Sequence, residues 1–163
     1  MQGNMQSRFL IITILIFAFS TSNISYAEGY QHINDLFDLR SAISDQGQSL
    51  PDSIKKAAGN DLRTLERIFE LNTSSLTTIE AYFRLFKMAL TAQEELTGET
   101  IDILNEWLSF IKNQCSYDIE YLQEALLETE NEEVISHINT AKDNIEKLSK
   151  IADTGISENK ETF

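Results

Sequence analysis

Apolar residues recur at three- and four-residue intervals through most of the chain, and no run of four to eight β-branched or aromatic residues alternates with polar ones as a strand requires. That pattern predicts helices. A first covers Tyr30 to Ser44, with Ile33, Leu36, Phe37, Arg40 and Ile43 on its stripe, and ends near Gly47. Ser49-Leu-Pro51-Asp is a start signal for a short helix interrupted at Gly59-Asn60, because proline is tolerated in a first turn. Asp61 restarts it, and the stripe Leu62, Leu65, Ile68, Phe69 and Leu71 stops at Asn72-Thr-Ser-Ser75, a cluster typical of a loop and a new N-cap. The next helix runs from about Leu76 to Leu96, with Gly98 as the expected residue just past its end. From Glu99 no breaker occurs before Glu128-Thr-Glu-Asn131, and a last helix from Glu132 to about Asp153 carries Ile135, Ile138, Ala141, Ile145, Leu148 and Ile151/Ala152. Residues 154–163 read as a disordered polar tail.

Short connections between long amphipathic helices make antiparallel neighbours, so the expected architecture is all-α: an up-and-down bundle of four long helices with one short extra segment, forming a single domain over residues 28–153. An isolated coiled coil is the second architecture. Ile101, Leu104, Leu108, Ile111, Cys115, Ile119, Leu122 and Leu126 form a heptad-like seam, although the earlier helices hold too many apolar residues to be appendages.

The first 27 residues change the picture of where the protein works. Arg8 is followed by the apolar run Phe9 to Phe19 and by the polar stretch Ser20 to Tyr26, with Ser25 and Ala27 at the −3 and −1 positions of a cleavage site. That run is well short of the roughly 20 residues needed to cross hydrocarbon, so the segment reads as a signal peptide cleaved after Ala27 rather than an anchor. The expected product is periplasmic or secreted and has no stable membrane insertion.

The 163 residues hold 13 Lys and Arg against 26 Asp and Glu, a formal charge of −13. Cleavage would remove one base, Arg8, and no acid, leaving 12 bases against 26 acids, or −14. Nucleic acid and anionic membrane surfaces both demand clustered Lys and Arg, so neither is an expected partner. One cysteine makes no internal disulfide, Cys-rich zinc site or CxxCH haem attachment.

The long helix after Gly98 carries a second apolar face. Ile103, Trp107, Phe110, Gln114, Tyr117 and Tyr121 fall within about 40° of one direction, roughly 120° around from the first seam. An aromatic stripe at helical spacing is ordinarily core, and the leading reading is a central helix packed on two sides. The functional reading is a partner-binding strip of Trp107, Phe110, Tyr117 and Tyr121, flanked by Asp102, Glu106, Glu120 and Glu124. Residues 99–133 hold ten acids against the single base Lys112, which suits a protein partner with a basic surface. A homodimer is a further possibility.

Other chemistry is sparse. Cys115 lies on the first seam as a small hydrophobe, with an intermolecular disulfide or a pairing with His32 or His137 as alternatives. Met88 and His137 are residue types that hold haem in some bundles, and Glu133 and His137 stand four apart, but the Glu-x-x-His spacing of carboxylate-bridged metal sites is missing. No cofactor and no metal is expected. There is no GxSxG, HExxH, P-loop or GxGxxG, so the expectation is not an enzyme. Asn72-Thr-Ser74 is a glycosylation acceptor if the source is eukaryotic. The functional expectation is an exported helical bundle that binds a protein, as an inhibitor, immunity factor, adaptor or chaperone; the second is a small-molecule or haem carrier.

Overall fold

The computed structural model describes residues 30–92 and 98–161. The proposed leader, residues 1–27, lies outside the described residues. Four helices build the fold: α1 Gln31–Lys56, α2 Gly59–Ala92, α3 Gly98–Leu127 and α4 Glu132–Glu161, with no strand among the described residues. They pack as the expected all-α bundle. α3 lies most extensively along α4, α1 packs against both α2 and α4, and α2 touches α3 and α4 more lightly.

Each helix buries a continuous stripe with alternating three- and four-residue steps. In α2 the stripe is Leu65, Ile68, Asn72, Ser75, Ile79, Tyr82 and Phe86. In α4 it is Val134, Ile138, Ala141, Ile145, Leu148, Ala152, Gly155 and Asn159. These stripes correct several expected boundaries. The break at Gly47 and Ser49 does not occur, because Gln46, Leu50 and Ser53 carry the α1 stripe past it. Pro51 withholds an N–H from the helix without ending it, and the hydroxyl of Ser49 donates to the carbonyl of Gln46 at 2.8 Å. The separate short segment is therefore the last part of α1.

The polar cluster 72–75 is no loop either. Asn72 and Ser75 face the core, and the Thr73 hydroxyl bonds back to the Phe69 carbonyl at 2.9 Å, within the helix rather than as a cap. Asn72 is buried, so the acceptor amide of the glycosylation motif is turned into the fold although Ser74 is exposed. Gly98 is the first residue of α3 rather than the terminator of the helix before it. The expected tail is helical through Glu161, and its Gly155 and Asn159 are buried.

True breaks occur where capping chemistry demands them. Ala57 is extended, with φ −80° and ψ 156°, and Gly59 adopts φ +60°, a conformation that costs a residue with a Cβ about 1–2 kcal/mol. Asn131 caps α4, its side-chain oxygen accepting the Glu133 N–H at 3.1 Å. Thr129 and Asn131 both donate to the carboxylate of Asp61, at 2.7 and 3.0 Å, which fastens the α3–α4 turn to the first turn of α2.

Candidate functional site

The second face of α3 is largely at the surface. Phe110 is 54% exposed, Tyr117 70% and Ile103 48%, and Gln114 is exposed between them. Trp107 and Tyr121 are half-buried, packed at the margin of the core. The leading expectation of core on both sides therefore fails for the middle of the strip and holds in part at Trp107 and Tyr121. The reason is topological: α3 receives α4 along one side and only light packing from α2, and α1 does not reach it.

The buried face of α3 is instead Ile101, Leu104, Leu108, Ile111, Cys115, Asp118, Leu122 and Ala125. Asp118 and Ala125 take the places expected for Ile119 and Leu126, which are only half-buried. Burial pushes the Asp118 carboxyl above the ordinary range, opposed by the hydrogen bond from Gln114 at 3.2 Å and by the charge of Arg67. Arg67 also stands over the Tyr121 ring, 5.8 Å from its centroid, and pairs with Glu70 at 3.1 Å.

Within the strip, the Trp107 and Phe110 rings lie 5.9 Å apart at 45°. The steps between Ile103, Trp107, Phe110, Gln114, Tyr117 and Tyr121 are four, three, four, three and four, the alternation of a coiled-coil seam. Asp102, Glu106, Glu120 and Glu124 are all exposed, and none forms an ion pair with another described residue. At 100° per residue they occupy one flank of the strip, the flank away from the core. Lys112, the single base of this region, is turned to α4, where it pairs with Asp153 at 2.7 Å.

Two polar clusters inside the bundle have the residue types of catalytic relays. In the first, buried His32 on α1 meets Glu158 on α4 and Tyr82 on α2. Its Nδ1 is 2.5 Å from Glu158 Oε2, and its Nε2 is 2.9 Å from the Tyr82 hydroxyl. A carboxylate only accepts, so Nδ1 carries the hydrogen; burial pushes Tyr82 well above the ordinary tyrosine range, so its hydroxyl stays protonated and donates to Nε2. Burial likewise lowers the basicity of His32 more than Glu158 and Asp35 raise it, which favours the neutral imidazole. The backbone N–H of His32 also donates to Glu158, at 3.2 Å. Asn159 donates to Asn105 at 2.9 Å nearby. The order acid, imidazole, hydroxyl is that of a nucleophilic triad, but Tyr82 and His32 are both 0% exposed. The cluster ties three helices together.

The second cluster lies towards the other end of α1. The hydroxyl of buried Ser53 donates to Glu133 Oε1 at 2.6 Å and receives His137 Nε2–H at 2.9 Å. That hydrogen bond, with Lys56, holds the Glu133 carboxyl below its usual range, while burial lowers His137. Serine sits between acid and imidazole, so the histidine donates to the hydroxyl and cannot take its proton; the order needed for an activated nucleophile is reversed. Gln46 completes the cluster, bonding to the His137 carbonyl at 2.8 Å and to the Asn144 amide at 3.2 Å.

Neither cluster serves the other sequence-derived alternatives. His32 and Ser53 are 21 residues apart on α1, a rise of about 30 Å, so His137 and the aromatic end of the bundle containing Phe86 and exposed Met88 are at opposite ends. Met88 and His137 do not share one haem iron. Glu133 and His137 converge on Ser53, and among the described residues no three His, Cys, Asp or Glu side chains are grouped to hold a metal ion. Cys115 is buried, and burial followed by Asp118 pushes its thiol to about 12, so it is a protonated core residue unavailable to a disulfide partner. No protein-family model matches the chain, and no curated protein or solved structure matches it.

Proposed function

We propose that the protein is an exported, non-enzymatic bundle that binds another protein through the outer face of α3. The carrying observation is the exposure of Phe110 and Tyr117 in the middle of a long helix: large aromatics are favoured interface anchors, and here they form a row beside unpaired carboxylates. The acidic row and the net charge of −13 favour a basic partner surface, whose approach the field would accelerate. The buried His32–Tyr82 pair and the reversed order at Ser53 support the non-enzymatic part of this reading, since the polar groups that look catalytic are consumed in bonds between helices. The carrier alternative gains nothing from Met88 and His137 at opposite ends of the bundle.

Affinity capture from the cell envelope or secretome tests the reading. Wild-type protein is expected to retain a specific partner that Phe110→Ala/Tyr117→Ala loses, while the two proteins melt alike. Equal capture by both would refute the strip. N-terminal sequencing of exported material tests the export step: Glu28 as the first residue supports cleavage after Ala27, and a retained Met1 removes it.

A further inference from the structure

Resting on that reading of the α3 face, we propose that the element it receives is an amphipathic α-helix with a row of Lys or Arg along one flank, laid lengthwise on α3. The first argument is periodicity. A long, narrow apolar line running along one helix offers a surface that the apolar stripe of a second helix, with the same three- and four-residue steps, fits over its whole length. The seam from Ile103 to Tyr121 covers 19 residues, a rise of about 27 Å, along a single unbroken helix. Its three most exposed apolar residues, Ile103, Phe110 and Tyr117, recur every seven residues and so stand one above another on a line nearly parallel to the helix axis. Trp107 and Tyr121, half-sunk between them and the core, form the floor.

The second argument is charge. Glu106 and Glu120 stand about 60° to 100° to one side of the seam, as do Asp102 and Glu124, positions that meet the edge of a helix docked on it. The other side of the seam descends into the core at Leu104, Ile111 and Asp118. The recognition surface is thus asymmetric: an apolar line, a wall on one side and carboxylates on the other. A second copy of this chain would bring its own acids against Glu106 and Glu120 and is disfavoured by that repulsion. A docked helix with bases on the matching flank places opposite charges together at the rim, which fixes its direction as well as its face.

Trp107 is the only tryptophan of the chain, so its fluorescence reads the floor of the seam directly. The test uses the full chain and three synthetic peptides of about three heptads: one with Leu on a three-and-four seam and Lys on one flank, one with Glu in place of those Lys, and one with the first composition scrambled to destroy the seam. The Lys peptide is expected to shift Trp107 emission and to bind at least about tenfold more tightly than either of the others. Phe110→Ala/Tyr117→Ala should lower its affinity by about tenfold or more, and Glu106→Gln/Glu120→Gln should lower it and flatten its salt dependence.

Equal binding by the scrambled peptide would show charge attraction without helix recognition and overturn the proposal. Binding of none of the three up to about 1 mM would also overturn it. Sedimentation of the chain as a dimer that Phe110→Ala/Tyr117→Ala dissolves would assign the seam to a second copy instead. A captured partner that cross-links to the strip through a strand or loop would remove the helix proposal while leaving the broader reading standing; failure of both capture and peptide binding removes the two together.

Discussion

Gly155 of α4 lies against the imidazole of His32 on α1: a Cβ built on it would stand 2.9 Å from His32 Cδ2, 3.0 Å from Cγ and 2.8 Å from Leu108 Cδ1. All three contacts fall inside normal van der Waals separation, and His32 cannot retreat while it bonds to Glu158 and Tyr82. The missing Cβ at Gly155 lets α4 lie this close to His32 of α1 and Leu108 of α3. Gly155→Ala is expected to destabilise the fold by about 1–3 kcal/mol, the range for overpacking, despite the better helix propensity of alanine. Gly47→Ala provides the opposite sign. Gly47 is inside α1 with nothing near a built Cβ, so alanine should stabilise by about 0.5–1 kcal/mol. Urea melts of the two variants should move in opposite directions.

The histidines give stability a definite pH dependence. His32 and His137 are both shifted down in the fold, chiefly by burial, so near pH 6 the unfolded chain takes up protons that the folded chain refuses. Their contribution is complete above the ordinary histidine value of about 6.5 and is lost as pH falls below it. Denaturant midpoints measured at about 0.5 M salt, where repulsion among the acids is screened, should fall between pH 7.5 and 5.5. A midpoint that is flat or rises over that window would show that Glu158 and Glu133 hold the imidazoles charged.

Asp118 acts in the opposite sense. Its carboxyl is shifted up by burial on α3, so its ionised form costs stability at neutral pH and the cost disappears below the ordinary aspartate range. Asp118→Asn keeps an oxygen to accept from Gln114 and removes the charge. The variant should be more stable at pH 7, with the difference closing as pH falls towards about 4. Thermal melts at the two pH values check both parts.

The bundle and the start of α4 at Glu132 were legible in the sequence because long apolar stripes and the Asn131 cap carry strong local signals. The errors have one physical origin. Gln46, Ser53, Asn72, Ser75, Gly155 and Asn159 sit on the buried stripes at the correct three- and four-residue steps, yet each is a residue type that elsewhere marks a turn or a surface. Counting the steps through these residues, rather than stopping at them, would have joined the split helices and extended α4. Their partners lie far away in sequence: His32 finds Glu158 and Ser53 finds Glu133 only once the helices assemble. The two faces of α3 were visible as a wheel pattern, but which face is covered depends on how closely α2 approaches, and no residue of α3 encodes that.

Phe110 and Ile111 are adjacent on α3, about 100° apart around its axis, one 54% exposed and the other 1%. Residue size alone would make the phenylalanine the costlier loss. Burial reverses the order: truncating a buried isoleucine removes its transfer free energy and leaves a cavity, at about 2–5 kcal/mol, a large part of a typical total of about 5–15. Phe110 loses mainly its tilted ring contact with Trp107, so Phe110→Ala should cost under about 1 kcal/mol. Chemical denaturation of Phe110→Ala and Ile111→Ala therefore reads the orientation of α3 in the free protein, independently of any partner. If Phe110→Ala unfolded as readily as Ile111→Ala, the strip would be covered in the isolated chain, and the protein-binding reading of Phe110 and Tyr117 would fall with it.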